Sequence, residues 1–215
     1  MQILVHTNRF MGDYGNRHFW DERYAEKGEG PCFDWYQDWS TLEPFLRPFL
    51  KEPLSFEILI PGCGNSQLGA DLYDQGYTNI TNVDSSDVVV NMIADRFKDR
   101  DQMEFVQSDA RNLEQIPDNT FDLIVDKALI DALLCSDDNI ISVNRLVHEM
   151  HRVLKPGGVY VVISHGPPDT RVGYLKRPAQ GLTWAVDTVV CEKPPLEGLE
   201  EQPDHRNHWL YSCRK

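Results

Sequence analysis

The strand Ile58-Leu59-Ile60-Pro61 runs straight into the turn Gly62-Cys63-Gly64-Asn65, and Asn82-Val83-Asp84 follows, its acid 22 residues after the first glycine. No other feature constrains the chain as much. Glycines let the backbone come close to a ligand at the carboxyl end of a strand, and an acid about 20 positions on, ending the next strand, binds both hydroxyls of a ribose. The pairing predicts a nucleotide-type cofactor. A Gly-x-Gly turn alone is equally an ordinary strand exit; the acid at this spacing favours the ligand.

The third glycine of the dinucleotide fingerprint packs helix against strand and helps seat a pyrophosphate on the helix N-terminus. Here Asn65-Ser66-Gln67 stands in its place. The turn is better suited to a ligand without a pyrophosphate, and S-adenosylmethionine is such a ligand.

Apolar runs alternate with amphipathic stretches, the pattern of a βαβ series. Strands are predicted at Phe56 to Ile60, Ile80 to Val83, Met103 to Gln107, Phe121 to Val125 and Val159 to Ser164, and two more at Thr183 to Glu192 and His208 to Cys213. Helices are predicted from about Ser66 to Gln75, Asp87 to Phe97 and Ile140 to Leu154. Lys155-Pro156-Gly157-Gly158 marks a sharp helix-to-strand turn. Residues 193 to 204, with three prolines and several acids, read as a mobile acidic loop.

A length of 215 residues fits a single α/β domain spanning 1–215. The formal charge of -13 argues against attraction to phosphate backbones and favours a basic partner over nucleic acid. Five scattered cysteines without a CxxC suggest neither a disulfide framework nor a zinc site and fit a reducing compartment. Ile3-Leu4-Val5 is too short an apolar run for a signal peptide, and no stretch is long enough for a membrane span, so the expected location is cytoplasmic. His148-x-x-His151 and His205-x-x-His208 lack a third ligand, and no metal is expected.

Taken together, Ile60-Pro61-Gly62-Cys63-Gly64-Asn65-Ser66, Val83-Asp84-Ser85-Ser86, Asp109-Ala110, Phe121 to Lys127 and Leu154-Lys155-Pro156-Gly157-Gly158 resemble the class I S-adenosylmethionine-dependent methyltransferases. Upstream, Trp20-Asp21-Glu22-Arg23-Tyr24 and Phe33-Asp34-Trp35-Tyr36 look like the branch of elongation factor 1A lysine methyltransferases. The resemblance implies a Rossmann-like seven-stranded sheet of order 3-2-1-4-5-7-6 with the last strand antiparallel, and residues 1–50 as a cofactor-covering extension. It also implies lysine methylation of a basic protein such as translation elongation factor 1A. Methylation of a small molecule and a non-catalytic, cofactor-binding partner protein stay open as alternatives.

Carried over by motif, Gly62 and Gly64 face the methionine part of the cofactor, Asp84 the ribose, and Ser85, Asp109 and Ala110 the adenine. Trp20, Tyr24 and Trp35 close the pocket, with Lys127 at the end of the fourth strand. Aromatic faces and oxygens surround a sulfonium without quenching it. The same aromatics fit simple packing against the sheet, and Lys127 and Asp131, four apart, fit an ion pair. For a lysine acceptor, Asp126 or Asp131 is placed to orient the amine and His165, just past the fifth strand, to accept its proton. Ala128-Leu129 stands where the branch often has Gly-Thr, which bears on acceptor choice.

Overall fold

In the computed structural model, which describes residues 14–28, 30–51, 55–192 and 207–215, the apolar runs become neighbouring strands of one sheet. The strands are β1 (Ile58–Pro61), β2 (Ile80–Asp84), β3 (Met103–Gln107), β4 (Phe121–Lys127), β5 (Leu154–Ser164), β6 (Ala185–Glu192) and β7 (Asn207–Arg214). They lie in the order β3-β2-β1-β4-β5-β7-β6, as the resemblance implied. β1 to β5 are mutually parallel, and β7 runs antiparallel to both β5 and β6.

Successive side chains of a strand point to opposite faces, so each central strand feeds two cores. Ile58, Ile60, Val161 and Ile163 join Leu42, Leu46, Leu68, Leu72 and Ile93 on one face. Leu59, Ile124, Tyr160 and Val162 join Leu146, Val147, Met150 and Trp184 on the other. Burial on both faces explains why these strands read as continuous apolar runs.

The helices are α1 (Arg17–Lys27), α2 (Trp39–Leu46), α3 (Leu68–Asp74), α4 (Asp87–Arg96), α5 (Leu129–Leu133), α6 (Asn139–Val153) and α7 (Pro168–Leu175). α6 buries Val143, Leu146, Val147, Met150 and Val153, the spacing of one helical face. Polar caps set several starts: Asn16 Oδ1 accepts from the His18 amide at 2.9 Å, and Asp38 Oδ1 from the Thr41 amide at 3.1 Å.

Two differences from the sequence reading have physical causes. β5 begins at Leu154 rather than Val159, because Leu154 already pairs with Phe121 and the Pro-Gly-Gly turn is absorbed as an irregularity in that ladder. α5 and α7 are short enough to give no clear periodicity. The acidic stretch at 193–204 lies outside the described residues. Among the described residues, no helix is long and apolar enough to cross a membrane.

Chain order reverses at β1, which pairs with β2 on one side and β4 on the other. The crevice beyond the carboxyl ends of strands at such a switch point is where open α/β sheets bind ligands.

Candidate active site

A cavity of about 530 Å³ opens at this switch point, a size ordinary for small-molecule sites. Its floor is the glycine turn. Gly62 and Gly64 have φ of 62° and 51°, a left-handed geometry that side chains resist. A Cβ on Gly64 would meet the Tyr24 hydroxyl at 2.8 Å, and one on Gly62 would meet Leu129 at 2.9 Å. The bare backbone therefore leaves room that any other residue would fill.

Asp84 ends β2 beside that turn. Its Oδ2 accepts from the Gly64 amide at 2.9 Å and its Oδ1 from the Ser86 amide at 3.0 Å. Burial raises its pKa against these backbone bonds, which favour the ionised form. Ser85 and Ala110 also line the cavity, and so does Asp109. Asp109 is gripped by the Arg111 guanidinium at 2.8 to 3.1 Å, and Arg111 is braced on the Ser142 hydroxyl at 2.8 Å. Burial alone would raise the Asp109 carboxyl, but this grip outweighs it and lowers its pKa.

The roof comes from α1 and the segment after it. Trp20 stacks on Tyr24 with ring centroids 5.7 Å apart, Trp35 meets Trp20 edge-on at 6.3 Å, and all three line the cavity. The Arg23 guanidinium sits 5.9 Å from the centroids of both indoles. Asp34 pins this roof down. It accepts from the Ser66 hydroxyl and the Lys127 ammonium, and Lys127 Nζ also donates to the Gln37 carbonyl at 3.1 Å. The ion pair of Lys127 is thus with Asp34 and not with Asp131. Burial lowers the Lys127 pKa, with Asp34 opposing.

Asp131, in α5, and His165, just past β5, also line the cavity. Asp131 Oδ1 accepts from the Ser164 hydroxyl at 2.6 Å and from Arg171 Nε at 2.9 Å. Its Oδ2 accepts from the Tyr36 hydroxyl at 2.8 Å and the His165 amide at 3.0 Å, with His165 Nδ1 also at 3.0 Å. Burial pushes this carboxyl up, but the bonds from His165 and Ser164 and the charge of Arg171 prevail and bring it down to about 2. Tyr36 makes its contact from φ 68°, an unusual backbone for a bulky residue.

Asp126 is elsewhere, which corrects its reading as a group that orients an acceptor. It is fully buried and outside the cavity lining. Oδ1 accepts from the amides of Leu129 at 2.9 Å and Ile130 at 3.3 Å, and Oδ2 meets the Tyr160 hydroxyl at 2.8 Å. It does the work of an N-cap for α5, whose own cap position is Ala128 at φ 78°. Sequence reasoning missed Arg111 and Arg171, which no spacing rule singles out, and gave no role to Asp34 and Tyr36, which stood inside a quoted motif.

A ligand cavity at the switch point of a parallel sheet, with a glycine turn hydrogen-bonded to an acid, defines an α/β protein built around a small-molecule cofactor. The family model described as "Methyltransferase domain" matches residues 59–162. The bovine (Bos taurus) "EEF1A lysine methyltransferase 4" is 30% identical over 176 residues, covering 78% of this chain and 68% of that protein. The bovine "eEF1A lysine and N-terminal methyltransferase" is 34% identical over 209 residues, 94% of this chain but 28% of that protein. The chain spans about a quarter of the length of the first curated relatives it matches. A crystal structure of a SAM-dependent methyltransferase from Methanosarcina mazei superimposes with a TM-score of 0.60 at 20% identity, covering 85% of this chain and 99% of that one. The chain belongs to the class I methyltransferases, whose methyl donor is S-adenosylmethionine.

Proposed function

We propose that this chain transfers a methyl group from S-adenosylmethionine to a lysine side-chain amine of translation elongation factor 1A, or of a similarly basic protein, in the cytoplasm. The similarity to the bovine elongation factor 1A lysine methyltransferase, across most of that protein's length, carries the reading. The cavity supports it by offering two chemically different sets of groups. Gly62, Gly64, Asp84, Ser85, Asp109 and Ala110 line it with bare backbone and acceptors suited to a nucleoside, and Tyr36, Asp131 and His165 line it with polar groups suited to an amine.

S-adenosylmethionine supplies a methyl group already activated on a sulfonium, so the protein mainly aligns the two reactants. In this reading Asp84 accepts from the ribose hydroxyls, Asp109 accepts from the adenine amino group, and the Ala110 backbone lines the same ring. Trp20, Tyr24 and Trp35 exclude water above the sulfonium, and Lys127 holds that roof through Asp34. In the same reading residues 14–28 and 30–50 act as a cover of the sheet, and residues 1–13 of the expected extension lie outside the described residues.

The test is incubation with labelled S-adenosylmethionine and recombinant elongation factor 1A, followed by mass spectrometry of the label. Methylated lysine on the factor is the expected product. A formal charge of -13 speeds encounter with a basic protein, so apparent affinity should fall as ionic strength rises. Label appearing only on small amines would move the activity to a small-molecule acceptor, and no transfer despite tight cofactor binding would leave a non-catalytic partner.

A further inference from the structure

We infer that His165 takes the proton from the acceptor amine through its Nε2, while Asp131 and Tyr36 hold the ring in the tautomer that leaves that nitrogen bare. The inference rests on the amine-methylating reading above and adds an atom and a proton path to it.

The argument starts from Asp131. Donors from Tyr36, Ser164, Arg171 and the His165 amide surround a carboxylate whose side chain is 4% exposed. A carboxyl placed so is ionised and has no proton to give. The 3.0 Å contact with His165 Nδ1 must therefore be donated by the ring. The Tyr36 hydroxyl has a single proton, and the ionised Asp131 oxygen at 2.8 Å claims it. Its lone pair is left facing Nδ1 at 2.9 Å, which again requires a hydrogen on Nδ1. Both contacts put the proton of neutral His165 on Nδ1 and the lone pair on Nε2.

Nε2 has no hydrogen-bond partner among the described residues, although the ring lines the cavity and its side chain is 56% exposed. The ring is steadied by an edge contact with Tyr36 at 5.9 Å, and Tyr36 lies against His208 at 4.6 Å. The ionisable groups around it are Asp131 on α5, Arg171 on α7, Tyr36 from the roof segment and, behind Tyr36, His208 on β7.

The step balances as follows. The lysine ammonium gives one proton to Nε2, and the imidazolium that forms is stabilised by ionised Asp131. The freed nitrogen lone pair makes the new N–C bond while the methyl carbon–sulfur bond breaks, its electron pair going to sulfur. The proton then leaves the imidazolium for solvent. In this path Asp131 and Tyr36 act through the imidazole ring and are positioning residues.

The experiment compares the whole chain with His165→Gln, using elongation factor 1A as acceptor. Because the ring is half exposed, the substitution should leave folding and cofactor affinity unchanged, which calorimetry with S-adenosylmethionine verifies. At neutral pH kcat should fall about 100-fold. In the variant only solvent can take the proton, so its deficit against the parent should be largest near neutral pH and narrow as pH rises toward the amine's own range near 10.4. Tyr36→Phe should lower kcat with little change in KM, and imidazole in the buffer should restore part of the activity of His165→Gly. An unchanged kcat in His165→Gln, or a deficit constant across pH, overturns the inference. If the parent chain methylates only small amines, the protein-acceptor reading falls and the same pH comparison on that amine decides the role of His165. If the parent methylates nothing, both fall.

Discussion

The backbone amide of Gly64 donates to Oδ2 of Asp84 at 2.9 Å, so the glycine turn and the acid 20 residues later are bonded to each other. The bond aims the carboxylate along the cavity floor before any ligand arrives. Asp84→Ala should therefore weaken S-adenosylmethionine binding by about 1.5 to 3 kcal/mol, the scale of hydrogen bonds to a charged group. Calorimetry on the folded variant checks this, and unchanged affinity would sink the assignment.

Lys127 and Asp34 form an ion pair with side-chain exposures of 5% and 15%. Removing one partner strands the other in a poorly solvated place, so Lys127→Met should cost about 3 to 5 kcal/mol of stability. The double variant Lys127→Met with Asp34→Asn should recover much of that loss, because no unpaired charge remains. Urea denaturation of the two single variants and the double variant gives the cycle; additive losses would show that the pair is not coupled.

Ala128 sits at φ 78°, in the left-handed region that favours glycine. A Cβ resists this conformation, so Ala128→Gly should stabilise the fold by about 0.5 to 1 kcal/mol despite the added freedom of the unfolded chain. A lowered thermal midpoint would show that the methyl group contributes packing that outweighs the strain.

Burial pushes the Asp126 carboxyl up to about 7, against hydrogen bonds from Tyr160 and the α5 amides. A folded pKa above the unfolded value means that the group's contribution is fully present below about pH 4 and is lost as pH rises through about 7. Asp131 has the opposite sign: held at about 2, its contribution is present above about pH 4 and is lost as pH falls toward 2. Asp126→Asn should thus flatten the decline in stability between about pH 4 and 7. Urea midpoints at those two pH values measure it, and an undiminished decline in the variant would assign the slope to other groups.

The parallel core was legible because strands buried on both faces leave unbroken apolar runs, and the cofactor groups because turn geometry demands glycine at Gly62 and Gly64. The polar set was half legible. His165 stood just past a strand end where ligands gather and Asp131 four residues beyond Lys127, but Arg171 reaches Asp131 from a short helix whose position depends on tertiary packing alone. Asp126 misled for the same reason that made it conspicuous: an acid at a strand end serves a ligand or the next helix, and only the backbone after it, turned left-handed at Ala128, decides which.

The roof is fastened to partners far along the chain: Asp34 to Lys127, 93 residues away, Tyr36 to the His165 ring, 129 away, and Gln37 to the Glu192 carbonyl, 155 away. Contacts of such separation tie the roof to the sheet only through the tertiary fold, with no local sequence connection to hold them. The same contacts define a unit able to open while the sheet stays intact. Amides of α1 should then exchange with solvent deuterium at a lower free energy than those of β4 and β5, and bound donor should slow exchange in α1 more than in the sheet.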